Sequence, residues 1–127
     1  MDQGKEKTLC MRADIDALPL TEKTGLPFAS VNPGVMYACA HDMHTALAAG
    51  VACELNRVRD RLNCNLVVLF QPAEESSPIG GARPIVESGF LEAQRIDALY
   101  GHHGWPSLPV GEVGVKPGTI MAASERF

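Results

Sequence analysis

Four short polar clusters carry the residues of this chain whose types could do chemistry. They are RADID (12–16), CAHDMH (39–44), QPAEE (71–75) and GHHGW (101–105), and they include all four histidines of the chain. Thiolate, imidazole and carboxylate groups occur together in them. Such a mixed set suits zinc, and it also accepts manganese, cobalt or nickel. Together, these residue types predict a shared metal site.

The spacing within the clusters narrows the chemistry. Cys39 and His41 are two residues apart, so in an extended segment their side chains would share one face. His41 and His44 would share a face only if a helix had already begun. In the pair Glu74 and Glu75, one carboxylate can bind a metal while its neighbour acts as a general base toward water. This division of roles is typical of metal-assisted amide hydrolysis.

Each of these residues also has a simpler interpretation. Taken alone, Cys39 is more often a small buried residue, and the two glutamates are more often a solvated pair. Asp42 would serve equally well as the N-cap of the helix that follows it. A further alternative makes Cys39 a nucleophile with His41 as its base, but two-residue spacing in a strand makes that contact awkward.

The elements that must position these clusters alternate between strand and helix. Apolar and extended patterns predict strands at residues 8–14, 65–71 and 97–103, and helices at 44–62 and 81–90. The run at 65–71 is apolar throughout, which is typical of a strand buried on both faces. Pro84 is tolerable in the first turn of the second helix, and Gly89 is its expected stop.

This alternation predicts an α/β fold with a largely parallel sheet. In such a sheet the functional groups collect where the strands run out into loops. Three of the polar clusters follow predicted strands, and the fourth precedes the first predicted helix. We therefore expect all four clusters to meet at one edge of the sheet.

Composition limits the class of protein. With 127 residues, 46% hydrophobic residues and a formal charge of −4, the chain resembles a soluble globular domain. Its eleven Lys and Arg residues are scattered, which speaks against a nucleic-acid partner. Its apolar runs are shorter than the roughly 20 residues that a membrane span needs. We expect a cytoplasmic protein without membrane contact, and its four cysteines reduced.

Successive blocks of the sequence resemble one enzyme family. MRADIDALPL, MYACAHDMHTA, LFQPAEE and GHHGWPSLPVGEVG occur in this order. From Leu9 onward the chain resembles the metal-dependent amidohydrolases related to aminoacylase and the zinc carboxypeptidases. These include hippurate hydrolases, auxin-conjugate hydrolases, N-acetyl-diaminopimelate deacetylases and aminobenzoyl-glutamate hydrolases. The resemblance implies a three-layer, zinc-exopeptidase-like catalytic domain with a mostly parallel central sheet.

The resemblance also implies roles for individual residues. Four would be metal ligands: Cys39, His41, Glu75 and His103. Glu74 would be the catalytic general base, taking a proton from the attacking water and passing it to the leaving amine of an amide that the metal polarises. Two divalent ions are implied, either Zn or Mn, with Co or Ni as alternatives. Three further residues are expected to orient the ligands: Asp14, Asp42 and His44.

Three positions depart from the family pattern. Tyr37 stands where the family has histidine, and Glu125 stands where aspartate is common. Ala40 replaces a glycine, at a point where the backbone would need an unusual conformation or a close approach. These changes leave the four implied ligands in place.

The implied substrate is an N-acyl-amino acid or a peptide-like molecule, and a homo-oligomer is expected. The resemblance implies that residues 1–127 correspond to the N-terminal part of the family's catalytic domain, without its lid or dimerisation domain. We therefore expect this chain by itself to be inactive. The alternative is a non-catalytic remnant that folds and self-associates through an uncovered sheet edge.

Overall fold

Three parallel strands and one long helix form the framework of the computed structural model, which describes residues 1–76 and 80–121. The strands β1 (Lys7–Asp14), β2 (Cys64–Gln71) and β3 (Ala98–Gly101) form one sheet in the order β2-β1-β3. Both neighbouring pairs are parallel. Helix α1 (His41–Arg57) packs against β1 and β2. The predicted α/β class with a parallel sheet is confirmed.

The central strand β1 shows that the three strands end at nearly the same level. Cys10 and Ala13 of this strand are fully buried. Asp14 pairs with Gln71, and Arg12 pairs with Gly101, so all three strands finish at nearly the same level. The loops that follow them therefore leave from one edge of the sheet, as the sequence predicts.

Helix α1 faces the sheet with one stripe of residues at helical spacing. His41, His44 and Ala48 are buried, and Val51 and Leu55 continue the stripe as half-buried residues. The helix begins three residues before the predicted start at residue 44. It ends at Arg57, where a basic side chain suits the helix dipole, and a single 3-10 turn over Arg59–Arg61 follows.

The start of α1 corrects one expectation about Asp42. The residue in the N-cap position is Ala40, and no side chain caps the helix there. The interpretation of Asp42 as the N-cap is therefore wrong. Asp42 lies in the first turn instead, where a negative charge still favours the positive end of the helix dipole.

Two short helices, α2 (Ala82–Glu87) and α3 (Phe90–Ala93), occupy the chain between β2 and β3. Pro84 lies in the first turn of α2, where its missing N–H costs no helical hydrogen bond. Gly89 has a positive φ of 70° and separates the two helices. The expected stop at Gly89 is confirmed, although the chain resumes a helical turn directly after it.

The side chains of the sheet are more exposed to solvent than the sequence predicts. In β2 the side chain of Gln71 is buried while Phe70, which points to the opposite face, is 40% exposed. Leu99 and Tyr100 of β3 are 47% and 60% exposed. The prediction that 65–71 is buried on both faces is therefore wrong for the part of the chain described here. No helix among the described residues is both long and apolar enough to cross a membrane.

Candidate metal centre

The four polar clusters meet where the strands end. Asp14 and Gln71 lie opposite each other at the ends of β1 and β2. The N-terminal part of α1 is tied to the same place, because the hydroxyl of Thr45 donates to the backbone carbonyl of Asp14 at 3.1 Å. The metal-ligating residue types that the sequence singles out are thus gathered at one edge of the sheet.

The segment that carries Cys39 is a turn and not an extended strand. Ala40 has φ 62° and ψ 28°, the left-handed conformation, and its N–H donates to the carbonyl of Tyr37 at 3.1 Å. The extended segment, in which Cys39 and His41 would share one face, is therefore not formed here. The turn still brings the two side chains together, since ligand atoms of Cys39, His41 and Glu75 all lie within 4.8 Å of one another.

The ring of His41 is held in one orientation by Asp16. Its Nδ1 lies 2.9 Å from the backbone oxygen of Asp16 and 3.3 Å from the carboxylate oxygen Oδ1. Both partners only accept hydrogen bonds, so Nδ1 carries a proton, and in the neutral ring Nε2 keeps a lone pair. That Nε2 atom is buried and has no hydrogen-bond partner among the described residues.

The free Nε2 of His41 faces three carboxylates. It lies 3.7 Å from Asp14 Oδ2, 3.8 Å from Glu74 Oε2 and 3.9 Å from Glu75 Oε1. These distances are too long for hydrogen bonds. Of these groups His41 and Asp14 are buried, and a buried lone pair that faces a buried carboxylate is costly unless a proton or a metal cation lies between them. Two nitrogen or oxygen ligands of a tetrahedral zinc ion stand about 3.3–3.6 Å apart, so these distances lie only a few tenths of an ångström above those of a divalent cation site.

Cys39 contributes sulfur to the same space and contacts His103. The Sγ of Cys39 lies 3.4 Å from Nε2 of His103. Burial, followed by the hydrogen bond and charge of Glu75, raises the pKa of the Cys39 thiol to about 11. A neutral thiol is a poor nucleophile, so the thiol-hydrolase alternative gains no support here. A divalent cation would reverse this preference, because it stabilises the thiolate.

His103 reaches the centre from the segment after β3. Its Nδ1 donates to the backbone carbonyl of Gly104 at 2.7 Å, which leaves Nε2 free to face Cys39. Of the four predicted ligands, three therefore form one compact group and the fourth touches the sulfur atom of that group. Their role as ligands stays a prediction, and their geometry fits it.

Glu74 and Glu75 follow β2, and the described residues around them have a tightly folded backbone. The N–H of Glu75 donates to Asp16 Oδ2 at 2.9 Å, and Ala73 has a positive φ of 54°. Gly81 closes the loop, since its N–H donates to the carbonyl of Ala73 at 2.9 Å. A side chain at Gly81 would place its Cβ 1.6 Å from the carbonyl oxygen of Pro72. The close approach therefore requires glycine.

Of the three residues expected to orient the ligands, two are buried at the site. Asp14 Oδ1 accepts a hydrogen bond from Nδ1 of His44 at 2.6 Å, and Asp14 Oδ2 is paired with Arg12 at 2.8 Å. Burial alone would raise the pKa of Asp14, but the hydrogen bond from His44 and the charge of Arg12 outweigh it and lower that pKa. Asp14 is therefore an anion at neutral pH.

Asp42 is placed differently. Its side chain is exposed, and it borders a shallow groove together with Tyr37 and Thr45. No hydrogen bond or ion pair joins its carboxylate to a predicted ligand among the described residues. The geometry supports an orienting role for Asp14 and His44, and it does not support one for Asp42.

Asp16 and Arg12 belong to the RADID cluster, but sequence reasoning gives neither of them an individual role. Asp16 binds both the ring of His41 and the backbone of Glu75, and Arg12 Nε donates to Gln71 Oε1 at 2.8 Å. Asp16 lies two residues after Asp14 in RADID, and this second aspartate is the sequence signal that could have identified it as a site residue. Its partners are 25 and 59 residues away along the chain, so spacing alone does not reveal them. Glu125 lies outside the described residues.

The chain is similar to known proteins over nearly all of its length. The model of the family described as Peptidase family M20/M25/M40 matches residues 10–124. An N-acetyl-L-cysteine deacetylase of Bacillus subtilis is 50% identical over 125 residues. The aligned region covers 98% of this chain and 29% of the deacetylase. An N-acetyldiaminopimelate deacetylase of Listeria monocytogenes is 50% identical over 123 residues, covering 96% of this chain and 32% of its own.

Solved structures show the same similarity in three dimensions. A crystal structure from Bacillus subtilis, described as a dinuclear metal binding peptidase of the M20 family, superposes with a TM-score of 0.81 at 47% identity. The superposed region covers 88% of this chain and 30% of the chain in that crystal structure. A putative aminohydrolase from methicillin-resistant Staphylococcus aureus gives a TM-score of 0.79, also at 47% identity, with 87% and 29% covered.

The chain thus spans about a third of the length of the relatives that it matches. The match extends over nearly all of the chain, from β1 through the segment that follows β3. The sequence resemblance and the predicted fold class are both confirmed by it. This chain belongs to the peptidase family M20/M25/M40.

Proposed function

We propose that this chain supplies most of the metal centre of an amidohydrolase that removes the acyl group from N-acyl-amino acids. The observation that carries the proposal is the buried Nε2 atom of His41, a lone pair facing the carboxylates of Glu74 and Glu75 beside the thiol of Cys39. The relatives named as deacetylases of N-acetyl-cysteine and N-acetyldiaminopimelate support this substrate class.

In this proposal Cys39, His41, Glu75 and His103 hold divalent metal. The metal, when bound, would supply Lewis acidity toward the amide carbonyl and a lowered pKa for water. The similarity to a dinuclear metal binding peptidase supports two ions rather than one. Zinc and manganese both accept this ligand set, with cobalt or nickel as alternatives, because thiolate, imidazole and carboxylate together do not select one metal.

Glu74 is the proposed general base. Its carboxylate is 40% exposed and lies 3.8 Å from His41, so it borders the centre while remaining open to a substrate and water. It takes a proton from the attacking water and returns it to the nitrogen of the leaving amine. Glu75 is less exposed at 29%, and its backbone is fixed by Asp16, which suits the ligand role better.

Metal affinity of the purified chain tests the ligand set. Titration calorimetry with Zn²⁺ or Mn²⁺ should show binding that Cys39→Ser weakens strongly. Cys53→Ser is the matched control, because Cys53 is an exposed free thiol on the outer side of α1. Equal affinities for Cys39→Ser and the unchanged chain would contradict the proposed centre.

Turnover tests the reaction separately. Release of acetate from N-acetyl-L-cysteine should be measured with the metal-loaded chain and with Glu74→Gln. Because this chain by itself is expected to be inactive, metal binding without turnover agrees with both the proposed function and the non-catalytic alternative, whereas turnover by the chain would exclude the non-catalytic alternative. Turnover that survives in Glu74→Gln would overturn the assignment of the general base.

Two further expectations belong to the proposal. All four cysteines are free thiols in the structure, which supports a reducing compartment such as the cytoplasm. The outer strand β3 has no strand partner on its free side among the described residues, and the outer side of β2 bonds to Met1 through the backbone of Leu66. The open side of β3 supports association with another chain or segment. Sedimentation velocity over a range of protein concentrations tests the predicted homo-oligomer.

A further inference from the structure

His44 is a buried histidine whose two ring nitrogens are both engaged. The side chain is completely buried. Its Nδ1 lies 2.6 Å from the Asp14 carboxylate, and its Nε2 accepts the backbone N–H of Gly104 at 2.8 Å. An amide N–H only donates, so Nε2 is unprotonated and Nδ1 carries the proton. The ring is therefore a neutral bridge between β1 and the segment after β3.

Asp14, His41 and His44 form a cluster whose ligand atoms lie within 4.8 Å of one another. The two hydrogen bonds of the His44 ring bear on whether His44 can bind a metal there. Neither nitrogen of His44 has a lone pair left for a metal, because Nδ1 holds the proton and the lone pair of Nε2 accepts the Gly104 amide. His44 could become a ligand only by releasing Asp14 or Gly104. Its residue type alone does not distinguish it from the ligands His41 and His103.

Residue 44 contacts the chain on both sides of His103. The Gly104 amide binds its ring, and Nε2 of His102 donates to its backbone carbonyl at 3.1 Å. The ring centroid of His103 lies 4.6 Å from that of His44, in an edge-on arrangement. His103 is thus the middle residue of a three-residue segment that is fixed to α1 at its first and third positions.

The other end of the bridge is equally well held. Asp14 is 2% exposed and is paired with Arg12, which in turn donates to the side chain of Gln71. Strands β1 and β2, the helix α1 and the segment after β3 are therefore joined through one chain of hydrogen bonds. A Cβ at Gly104 would lie 3.6 Å from His44 Nε2, an ordinary contact, and 2.3 Å from the terminal methyl of the exposed Met43 side chain, which would have to move.

We propose that His44 is a positioning residue, which does not bind metal and holds segment 102–104 through Gly104 so that His103 faces Cys39. The inference rests on the proposed function in one respect, that His103 is a metal ligand. Residues that orient ligands in this way change metal affinity by about 10–100-fold when they are replaced.

Two isosteric substitutions separate the two ends of the bridge. In His44→Asn the amide nitrogen can take the place of Nδ1, so the bond to Asp14 survives and the acceptor for Gly104 is lost. In His44→Gln the amide oxygen can take the place of Nε2, so the acceptor for Gly104 survives and the donor to Asp14 is lost. Each variant removes one hydrogen bond of the same buried side chain.

The proposal expects different metal affinities from this pair. The Kd for Zn²⁺ should rise about 10–100-fold in His44→Asn and remain near that of the unchanged chain in His44→Gln. Thr45→Val is the matched control, because it removes a bond to Asp14 from the next residue of α1 without touching segment 102–104. Equal losses in both His44 variants, or a larger loss in His44→Gln, would overturn the proposal.

A double-mutant cycle asks whether His44 acts through His103. In the background of His103→Ala, the substitution His44→Asn should have no further effect on Kd. An additive effect would show that His44 contributes to the metal site independently of His103, and the proposal would then fail.

Hydrogen exchange of the Gly104 amide provides a test without metal. The amide should exchange slowly in the unchanged chain and in His44→Gln, and faster in His44→Asn. A chain that binds no metal would remove support from the proposed function, whereas the exchange experiment would still decide on the positioning. Unchanged Gly104 exchange in His44→Asn would contradict it.

Discussion

Ala40 is the residue at which backbone conformation and side-chain type disagree most clearly. It adopts the left-handed conformation between two predicted ligands, at the N-cap of α1. An L-residue with a Cβ pays about 1–2 kcal/mol there, whereas glycine does not. We expect Ala40→Gly to raise the free energy of unfolding by about 1 kcal/mol, partly offset by the greater freedom of glycine in the unfolded chain. Urea unfolding followed by circular dichroism measures it.

A glycine substitution inside the helix α1 should change the free energy of unfolding in the opposite direction. Ala49 is exposed in the middle of α1, so Ala49→Gly should lower the free energy of unfolding by about 1 kcal/mol. If both glycine variants destabilised the chain equally, the left-handed conformation of Ala40 would not be the cause. The family resemblance alone singles out position 40, because it places a glycine there, and the structure supplies the physical reason.

Asp97 offers a test at the residue scale that depends on pH. Its Oδ2 accepts the N–H of Thr8 at 2.8 Å and its Oδ1 is paired with Lys7 at 3.0 Å, so the first residues of β1 are tied to the chain before β3. The hydrogen bond from Thr8, followed by that from Lys7, lowers the pKa of Asp97 below 3.8. The charged carboxylate therefore stabilises the folded chain.

Because the folded pKa of Asp97 is depressed, its contribution is present above the unfolded value of 3.8 and is lost as pH falls through the lower folded value. The unchanged chain should be more stable than Asp97→Asn at pH 7, and this difference should shrink progressively below pH of about 4. Thermal unfolding of both chains between pH 2.5 and 7 checks it, and a difference that stays constant with pH would speak against it.

The sequence predicts the clusters at the strand ends but not the contacts between individual side chains. Asp14, Cys39, Glu75 and His103 converge because three parallel strands end at one level, which follows from the strand pattern. The proton on Nδ1 of His41 and the bridge made by His44 depend on Asp16 and Gly104, which lie 25 and 60 residues away. Such distant contacts leave no period in the sequence.

At the scale of elements, the loop between β2 and α2 depends on Gly81. Its backbone packs so closely on Pro72 that an added Cβ would lie 1.6 Å from a carbonyl oxygen, and backbone has to move to relieve this overlap. We expect Gly81→Ala to lower the free energy of unfolding by about 1–3 kcal/mol, as overpacking does. Metal affinity should fall as well, because the same loop carries Glu74 and Glu75.

Gly50 is the matched control for Gly81→Ala. It lies inside α1, and an added Cβ there meets nothing within 4 Å. Gly50→Ala should therefore raise the free energy of unfolding by about 1 kcal/mol and leave metal affinity unchanged. Calorimetric titration and urea unfolding of both variants provide the measurements. A Gly81→Ala chain with unaltered metal affinity would show that the loop tolerates the added methyl.

The bounds of α1 show why element ends are harder to predict than elements. The apolar stripe from His44 through Leu55 identifies the helix, but its first turn begins at His41 without a side-chain cap. Ala40 ends the preceding turn by a left-handed conformation, for which alanine gives no signal. His41 and His44 consequently share one face, with ring centroids 5.6 Å apart. The early start of the helix is what brings His41 to the site.

At the scale of the whole molecule, the sheet has more exposed apolar surface than its sequence predicts. The surrounding sequence predicts buried strand residues at Phe70, Leu99 and Tyr100, yet the side chain of each is at least 40% exposed. The pattern of a strand reports which faces are apolar, and it does not report which part of a protein covers them. The chain spans about a third of its relatives, so these residues are candidates for contact with further protein.

A chain with a small core should depend on its metal for stability. The fully buried apolar residues described are few, namely Cys10, Ala13 and Ala48, while the predicted ligands join β2, α1 and the segment after β3. A ligand present at 100 times its Kd stabilises the folded state by about 2.7 kcal/mol. We expect saturating Zn²⁺ to raise the melting temperature and EDTA to reverse this. The shift should disappear in Cys39→Ser at the same Zn²⁺ concentration and persist in Cys53→Ser. An equal shift in Cys39→Ser would place the stabilising ion elsewhere.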